Sequence, residues 1–299
     1  PEVEMVVSAA VGVAGLPATY EAIRCGKDIA LANKEVLVAA GELVMAEVKR
    51  TGVALLPVDS EHNAIHQCLR ASERSEVKRL ILTASGGPFR RTPAKQLASV
   101  TPEQALAHPN WQMGRRITVD SATLMNKGFE VIEAHWLFGM PLERVDVVIH
   151  PQSTVHSMVE FVDGSVIAQL GPADMRMPIQ YALTYPGRIP SNGLGLDWTR
   201  LRKLEFATVP ARKFPCLRLA RQALRMGREF PCALNAADEV AVEAFLTGRL
   251  PFTGIVELIE SVLSALPKRN WKTMEDVVAA DAEARHLAYE ELARRAGTN

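Results

Sequence analysis

Only four cysteines occur in the 299 residues, Cys25, Cys68, Cys216 and Cys232, and they share no C-x-x-C or other short regular spacing. In a chain this long that scatter excludes a disulfide framework and gives a catalytic thiol no partner set, so the cysteines are expected to be reduced, in a cytoplasmic compartment. Net charge is also missing, because lysine plus arginine and aspartate plus glutamate number 34 each. No global field therefore draws the chain to nucleic acid or to an anionic membrane, and any polar function must come from local clusters. No uninterrupted apolar run approaches the roughly eighteen residues of a membrane-spanning helix, and the first thirty or so lack the basic head and apolar core of a secretory signal. A leading methionine is absent too. Glu2 to Ala10 reads as a strand already entering a core, which implies removal of an upstream piece or processing of a tag.

What is present is a hydrophobic content of 48%, enough for more than one core. Val3 to Val7, Asp28 to Ala32 and Val53 to Val58 have the composition of strands. Between them Pro17 to Arg24 reads as a short helix opened by a tolerated early proline. Lys34 to Arg50 reads as a longer helix, with Leu37, Ala40, Val44 and Val48 along one face. Strand-helix-strand-helix-strand predicts a parallel sheet covered by helices, whose ligands sit at the strand C-terminal ends. Those ends carry Ser8-Ala9-Ala10, Asn33-Lys34-Glu35 and Asp59-Ser60-Glu61.

Arg79 to Ala84 predicts a further strand that ends in Ser85-Gly86-Gly87-Pro88. Helical segments are expected over Pro102 to Ala107 and Ser121 to Leu137. Val145 to Ile149, Val155 to Phe161 and Val166 to Leu170 are strand candidates, and their mixed connections imply a second sheet. Pro186 to Pro215, rich in proline and glycine, predicts an extended connector. Four helices are then expected over Cys216 to Met226, Asn235 to Leu246, Thr253 to Ala265 and Thr273 to Arg295, as a small bundle-like domain.

Asp59 and Glu61 stand two apart, so an extended strand would point both carboxylates to one side, as two ligands of one hard cation; ordinary acids on a solvated loop are the alternative. Asn126, Lys127 and Glu130 stand three and four apart and can address one side of a helix. Ser121 can cap that helix, where free backbone N–H groups favour a phosphate; a plain surface cap with a salt-bridged Lys127 would look the same. Ser85-Gly86-Gly87 follows an apolar strand and permits close backbone approach to an anion, although it also suits an ordinary turn. The segment His108-Pro-Asn-Trp111-Gln-Met113-Gly114 lacks core periodicity and combines an aromatic, a soft side chain and a glycine pivot. That mix suits a lid over a bound substrate, or a loop pinned by its tryptophan. His156, beyond His150-Pro151-Gln152-Ser153, can hydrogen-bond a ligand or serve as a structural histidine. His62 and His66 have helical zinc spacing without the glutamate of H-E-x-x-H. His135, Trp136 and Trp271 are assigned to packing, and His286 to a solvated face.

In chain order, Ala32-Asn33-Lys34-Glu35, Asp59-Ser60-Glu61-His62-Asn63-Ala64, Ser85-Gly86-Gly87-Pro88-Phe89-Arg90, the block from His108 to Glu130, His150 to Ser157 and Leu234 to Ala241 closely resemble the 1-deoxy-D-xylulose 5-phosphate reductoisomerase family. The resemblance implies conversion of 1-deoxy-D-xylulose 5-phosphate to 2-C-methyl-D-erythritol 4-phosphate by rearrangement and hydride transfer from NADPH. It implies Mg²⁺, Mn²⁺ or Co²⁺ as metal and a homodimer as assembly.

By resemblance Asp59, Glu61 and Glu130 are metal ligands, and Ser85, Ser121, Asn126 and Lys127 the phosphate site. Lys34, Glu61 and Lys127 are the candidate catalytic residues. Ser60, His108, Trp111, Met113, Ser153 and His156 complete the substrate pocket. Ser8, Ala9, Ala10, Asn33, Lys34, Glu35, Gly114 and Met175 face the cofactor.

The implied fold is α/β and α+β. It comprises the remaining part of a Rossmann-like NADPH-binding domain (1–58), a central mixed-sheet catalytic domain (59–185), the connector (186–215) and a C-terminal four-helix domain (216–299). The family opens with a strand and a Gly-rich phosphate loop not found here, about ninety residues in all, so reduced activity of the isolated chain is expected. A non-redox, metal-dependent sugar-phosphate isomerase or aldolase, and a non-catalytic sugar-phosphate-binding or assembly protein, are the alternatives.

Overall fold

The computed structural model describes residues 2–297 apart from 71, 192 and 270, and the chain divides into two compact units. The first holds the chain up to Val36, Val44–Ser85 and Glu133–Val209. In it β1 (Met5–Ser8), β2 (Asp28–Leu31) and β3 (Leu55–Pro57) form a parallel sheet in the order β1-β2-β3. Both connections are helical, α1 (Leu16–Arg24) and α2 (Glu35–Thr51). Parallel neighbours need such crossovers, and α1 packs on β1 and β2. Gly52 ends α2 in the left-handed region, φ 74°, where a residue without Cβ escapes the usual clash.

The second sheet runs β7-β6-β4-β5-β8. Its strands are β4 (Val77–Ala84), β5 (Val145–Ile149), β6 (Val155–Phe161), β7 (Val166–Leu170) and β8 (Ala207–Thr208). β4 lies at the centre, parallel to β5 and antiparallel to β6, so the sheet is mixed as the sequence predicts. Two helices that the sequence reading omits also belong to this unit, α3 (Ser60–Cys68) and α7 (Arg176–Thr184). Both are only nine residues long, and their buried positions become a face where α3 meets β6 and β7 and where Ala182 of α7 closes the Ala30, Leu56, Val58 cluster. The connector is not wholly irregular: its Ala207–Thr208 pairs with Val148 and Ile149.

The second unit comprises Leu37–Leu43, Gly86–Ile132 and the chain from Pro210 onward. It includes α4 (Pro102–Leu106), opened by a Thr101–Gln104 capping box, then α5 (Arg115–Thr123) and the first part of α6 (Met125–Phe138). The single helix expected from Ser121 to Leu137 is therefore two helices. Leu124 breaks them with φ 62°, a left-handed conformation costly for leucine, although no glycine or proline announces the break. Packing overrides local preference here, since the Leu124 side chain is 2% exposed.

The C-terminal helices are α8 (Cys216–Met226), α9 (Glu229–Leu246), α10 (Phe252–Ala265) and α11 (Met274–Ala296). α9 begins six residues before the expected Asn235, because Pro231 falls in its first turn, where the missing N–H has no intrahelical partner to lose. Almost every residue of α9 is buried, with α5, α8, α10 and α11 packed around it.

Buried within α9 is Asp238, fully sealed from solvent. Burial pushes its carboxyl up to about 6, against the opposing pull of the Arg116 guanidinium, from about 3.9 in an unfolded chain. The folded state thus holds this proton more tightly than the unfolded state, so the carboxyl's contribution to stability is present at low pH and is lost as pH rises through about 6. Asp238→Asn stays neutral throughout. Its melting temperature relative to the parent should therefore rise between about pH 4 and pH 7, as differential scanning calorimetry at the two pH values would show.

Candidate active site

Because β1, β2 and β3 are parallel, their C-terminal ends open on one edge, and the polar residues that follow each strand gather there. After β1, Ser8 exchanges a 2.6 Å hydrogen bond with Thr19, while Ala9 and Ala10 are exposed. After β2, Asn33 Nδ2 donates to the Ala10 carbonyl and, at 2.8 Å, to that of Gly12; its Oδ1 accepts from the Glu35 N–H at 3.0 Å. One buried amide thereby pins the loop after β1 to the start of α2. Lys34, 7% exposed, forms an ion pair with Asp59 beyond β3.

Asp59 and Glu61 do not lie on an extended strand. Asp59 caps α3, its Oδ1 accepting the Glu61 N–H at 3.2 Å, and Ser60 Oγ donates to Glu61 Oε2 at 2.5 Å. The helix turn, not the strand pleat, gathers the carboxylates, whose oxygens come within 4.8 Å of one another. The same turn carries His62 into the interior, where Nδ1 lies 3.1 Å from Glu133 Oε2 and 3.8 Å from Asp59 Oδ1. His66 goes elsewhere, Nδ1 standing 2.9 Å from the Tyr181 hydroxyl, so the two histidines do not form a pair of ligands. Glu133, whose carboxylate groups with Asp59 and His62 within 4.8 Å, is a residue that the sequence reading does not name. Its position three beyond Glu130 on α6 is the one signal that could have found it.

His156 on β6 is buried, with Nε2 3.2 Å from the Pro172 carbonyl. Burial lowers its pKa while the Glu61 carboxylate pulls it back up, which marks the imidazole as an electrostatic neighbour of that acid. Ser153 takes φ 52°, closing the turn in which its N–H donates to the His150 carbonyl at 3.2 Å. His150 is structural: Nδ1 meets the Glu205 carbonyl at 2.8 Å and Nε2 accepts the Thr154 N–H at 3.2 Å. Met175 begins α7 and is 37% exposed. His135 and Trp271 have the packing roles expected of them: His135 Nδ1 stands 2.8 Å from the Met140 carbonyl, and Trp271 is buried. His286 is exposed.

In the second unit Asn126 Nδ2 donates to Glu130 Oε1 at 2.7 Å, and Lys127 Nζ pairs with Glu130 Oε2. Lys127 and Glu130 are 3% and 1% exposed, so this is a buried charge pair with an amide locked against it. Ser121 does not cap α6. It occupies the last turn of α5, and Thr123 is the capping residue, its hydroxyl accepting the Met125 N–H at 3.2 Å. Gly87, with φ 66°, runs so close to α5 that an added Cβ would stand 2.7 Å from the Ser121 carbonyl oxygen. In the segment before α5, His108 Nδ1 accepts the N–H groups of Asn110 and Trp111 at 3.2 and 3.0 Å. Burial holds the His108 pKa below its ordinary value, consistent with a neutral ring that accepts. Trp111 and Met113 are half-buried and Gly114 is exposed. Burial also pushes the Cys68 thiol up to about 11 and raises Cys216 and Cys232, which leaves these sulfurs unreactive.

Chemically, the first unit presents hard oxygen donors backed by a lysine, and the second an amide, a lysine and a carboxylate beside a glycine turn. The first set suits a divalent cation and the second an anionic group.

Residues 1–41 match 1-deoxy-D-xylulose 5-phosphate reductoisomerase, and residues 55–138 and 170–287 match C-terminal domains of the same enzyme. The reductoisomerase of Solibacter usitatus is 59% identical over 300 aligned residues that take in all of this chain and 75% of that protein. The Dechloromonas aromatica enzyme is 57% identical over 96% of this chain and 74% of its own length. Among solved structures, the Zymomonas mobilis enzyme in complex with NADPH aligns at TM-score 0.91 with 46% identity, covering 97% of this chain and 75% of that one. A reductoisomerase in complex with NADPH, fosmidomycin and magnesium aligns at TM-score 0.93 with 44% identity, covering 97% and 76%.

The close approach of Gly87 to α5 gives a direct test. Gly87→Ala should cost about 1–2 kcal/mol for the left-handed backbone and more for displacing the Ser121 carbonyl. Gly52→Ala, with φ 74° but nothing within 4 Å of its added Cβ, should cost the backbone part alone. Urea denaturation of the two variants measures the difference.

Proposed function

The chain belongs to the 1-deoxy-D-xylulose 5-phosphate reductoisomerase family, and from that premise we infer that it converts 1-deoxy-D-xylulose 5-phosphate to 2-C-methyl-D-erythritol 4-phosphate with NADPH and a divalent metal, in isoprenoid precursor synthesis. The observation that carries this reading is the 59% identity to the Solibacter usitatus enzyme, over an alignment that takes in the whole chain. The chain spans about three quarters of the length of these relatives. Neither alternative, a non-redox aldolase or a non-catalytic binding protein, is favoured by them.

Asp59, Glu61 and Glu130 are assigned as metal ligands. The donor set is all carboxylate oxygen, the kind that Mg²⁺, Mn²⁺ or Co²⁺ accepts in an enzyme with open positions for substrate. When bound, the metal would supply a Lewis acid for the ketose oxygens and NADPH a hydride for the rearranged aldehyde. Lys34, already paired with Asp59, orients that carboxylate and brings a cation to the nicotinamide side of the pocket. Lys127 and Asn126 are placed in the phosphate site with Ser85 and Ser121. They now hold Glu130, so each is a donor that an arriving phosphate can take over. Ser60 fixes the Glu61 carboxylate by the hydrogen bond noted above, while Ser153 and His156 line the sugar side.

His108, Trp111 and Met113 form the lid that excludes water. For NADPH, the small side chains of Ala9 and Ala10, the loop carbonyls gathered by Asn33 and the nearby Ser8 and Glu35 fit close backbone approach by a planar ring. Gly114 and Met175 are assigned to the same ligand, within a domain taken as residues 1–58.

The assembly is proposed to be a homodimer of a cytoplasmic enzyme. β7 is an edge strand that exposes Val166 and Ile167, and such an edge is usually covered or paired. Among the described residues no helix is long and apolar enough to cross a membrane.

With substrate and Mg²⁺, one NADPH should be oxidised per product formed; turnover of the ketose without NADPH loss would overturn the redox reading. Glu130→Gln should lower kcat by about 10²-fold or more at limiting metal, with weaker Mn²⁺ binding in a titration; unaltered Mn²⁺ affinity would remove Glu130 from the ligand set. Trp111→Ala should keep the fold by circular dichroism and raise KM about tenfold, as expected for a lid contact.

A further inference from the structure

Helix α5 links the lid to the proposed phosphate site, yet little in its own turns holds it. It is nine residues long, and its N-cap, Gly114, provides no side-chain cap. Arg116 supplies an anchor. Its Nη1 donates to Glu239 Oε1 and its Nη2 to Asn235 Oδ1, both at 2.7 Å, so the planar guanidinium grips α9 with two parallel bonds. Asp238 Oδ2 stands 3.5 Å from Nη2 and Asp120 Oδ2 3.6 Å from Nε, so carboxylates of α9 and of α5 itself both face this cation. Glu239 is fixed from the far side by Arg285 of α11, which Asp281 holds at 2.7 Å. The guanidinium also lies 5.9 Å from the Phe129 ring centre on α6.

We propose that Arg116 is a positioning residue for phosphate recognition: by clamping α5 to α9 it sets where Ser121 stands beside the Gly87 turn. The inference rests on the reading of Ser121, Asn126 and Lys127 as the phosphate site. Its physical basis is leverage. Ser121 lies five residues beyond Arg116, about 7.5 Å along the axis, so a tilt of about 10° about the clamp moves it by more than 1 Å. A hydrogen bond does not survive that displacement. The Gly87 backbone packs against Ser121 and Ala122 with no room for a methyl group, so the movement cannot be absorbed there. The C-terminal helices thereby set substrate affinity through Arg116, in addition to closing a core.

The test is steady-state kinetics of the full-length holoenzyme, with NADPH and Mg²⁺, for Arg116→Met and Glu239→Gln, together with the inhibition constant of inorganic phosphate. KM for the phosphorylated ketose should rise about tenfold and the phosphate inhibition constant in parallel, with kcat within about threefold. Glu239→Gln keeps an acceptor for Arg116 and should show a smaller shift in the same direction; it carries the same readouts if Arg116→Met does not fold. A lower melting temperature with unchanged KM and unchanged phosphate inhibition would make the clamp structural only and overturn the inference. Lys127→Met separates the two claims. If it weakens phosphate inhibition and the clamp variants do not, the inference alone falls; if it leaves phosphate inhibition unchanged, the phosphate assignment falls and the inference with it.

Discussion

A carboxylate taken out of water costs several kcal/mol unless a cation or strong donors stand against it, and each unit confronts that cost within itself. In the first, Asp59 is paired with Lys34 and capped onto α3, and Glu133 faces His62 in the interior. In the second, Glu130 is held by Lys127 and Asn126. These pairs add little net stability, because desolvation offsets most of their attraction. What they provide is orientation, each acid being held against a named partner.

The helices around these acids exist to hold that arrangement. The left-handed Leu124 turns α5 sharply into α6, so that Ser121 ends one helix while Asn126, Lys127 and Glu130 begin the next. Strain at one buried residue, of order 1–3 kcal/mol, is the kind of feature that persists where surrounding contacts over-determine it. α5, which ends just before Leu124, is held by the Gly87 backbone at Ser121 and Ala122 and by the Arg116 bonds to α9. The C-terminal helices are thus joined to α5 through the Arg116 guanidinium.

Much of this was legible beforehand. Period-two and period-3.6 patterns located β1 to β7, α1, α2 and the C-terminal helices, but not β8, which lies in the segment read as a connector. The misses share one cause. α3 and α7, nine residues each, are too short to show a stripe until β6, β7 and the Ala30 cluster cover them. The break at Leu124 has no glycine or proline to mark it. Glu133, His62 and Arg116 resemble ordinary charged helix residues until their partners, far away in sequence, are known.

By itself the sequence determined which residues can be strands and helices, because side-chain periodicity is a local property of a polypeptide. It also determined the family, because long motifs in fixed order leave few other assignments. Tertiary structure decided how the functional side chains are aimed. Asp59 and Glu61 converge through a helix cap instead of a strand pleat, Ser121 ends a helix instead of starting one, and Arg116 binds a helix more than one hundred residues away in sequence. Each of those outcomes depends on burial and on non-local hydrogen bonds, whose energies outweigh the few tenths of a kcal/mol that local propensity contributes per residue.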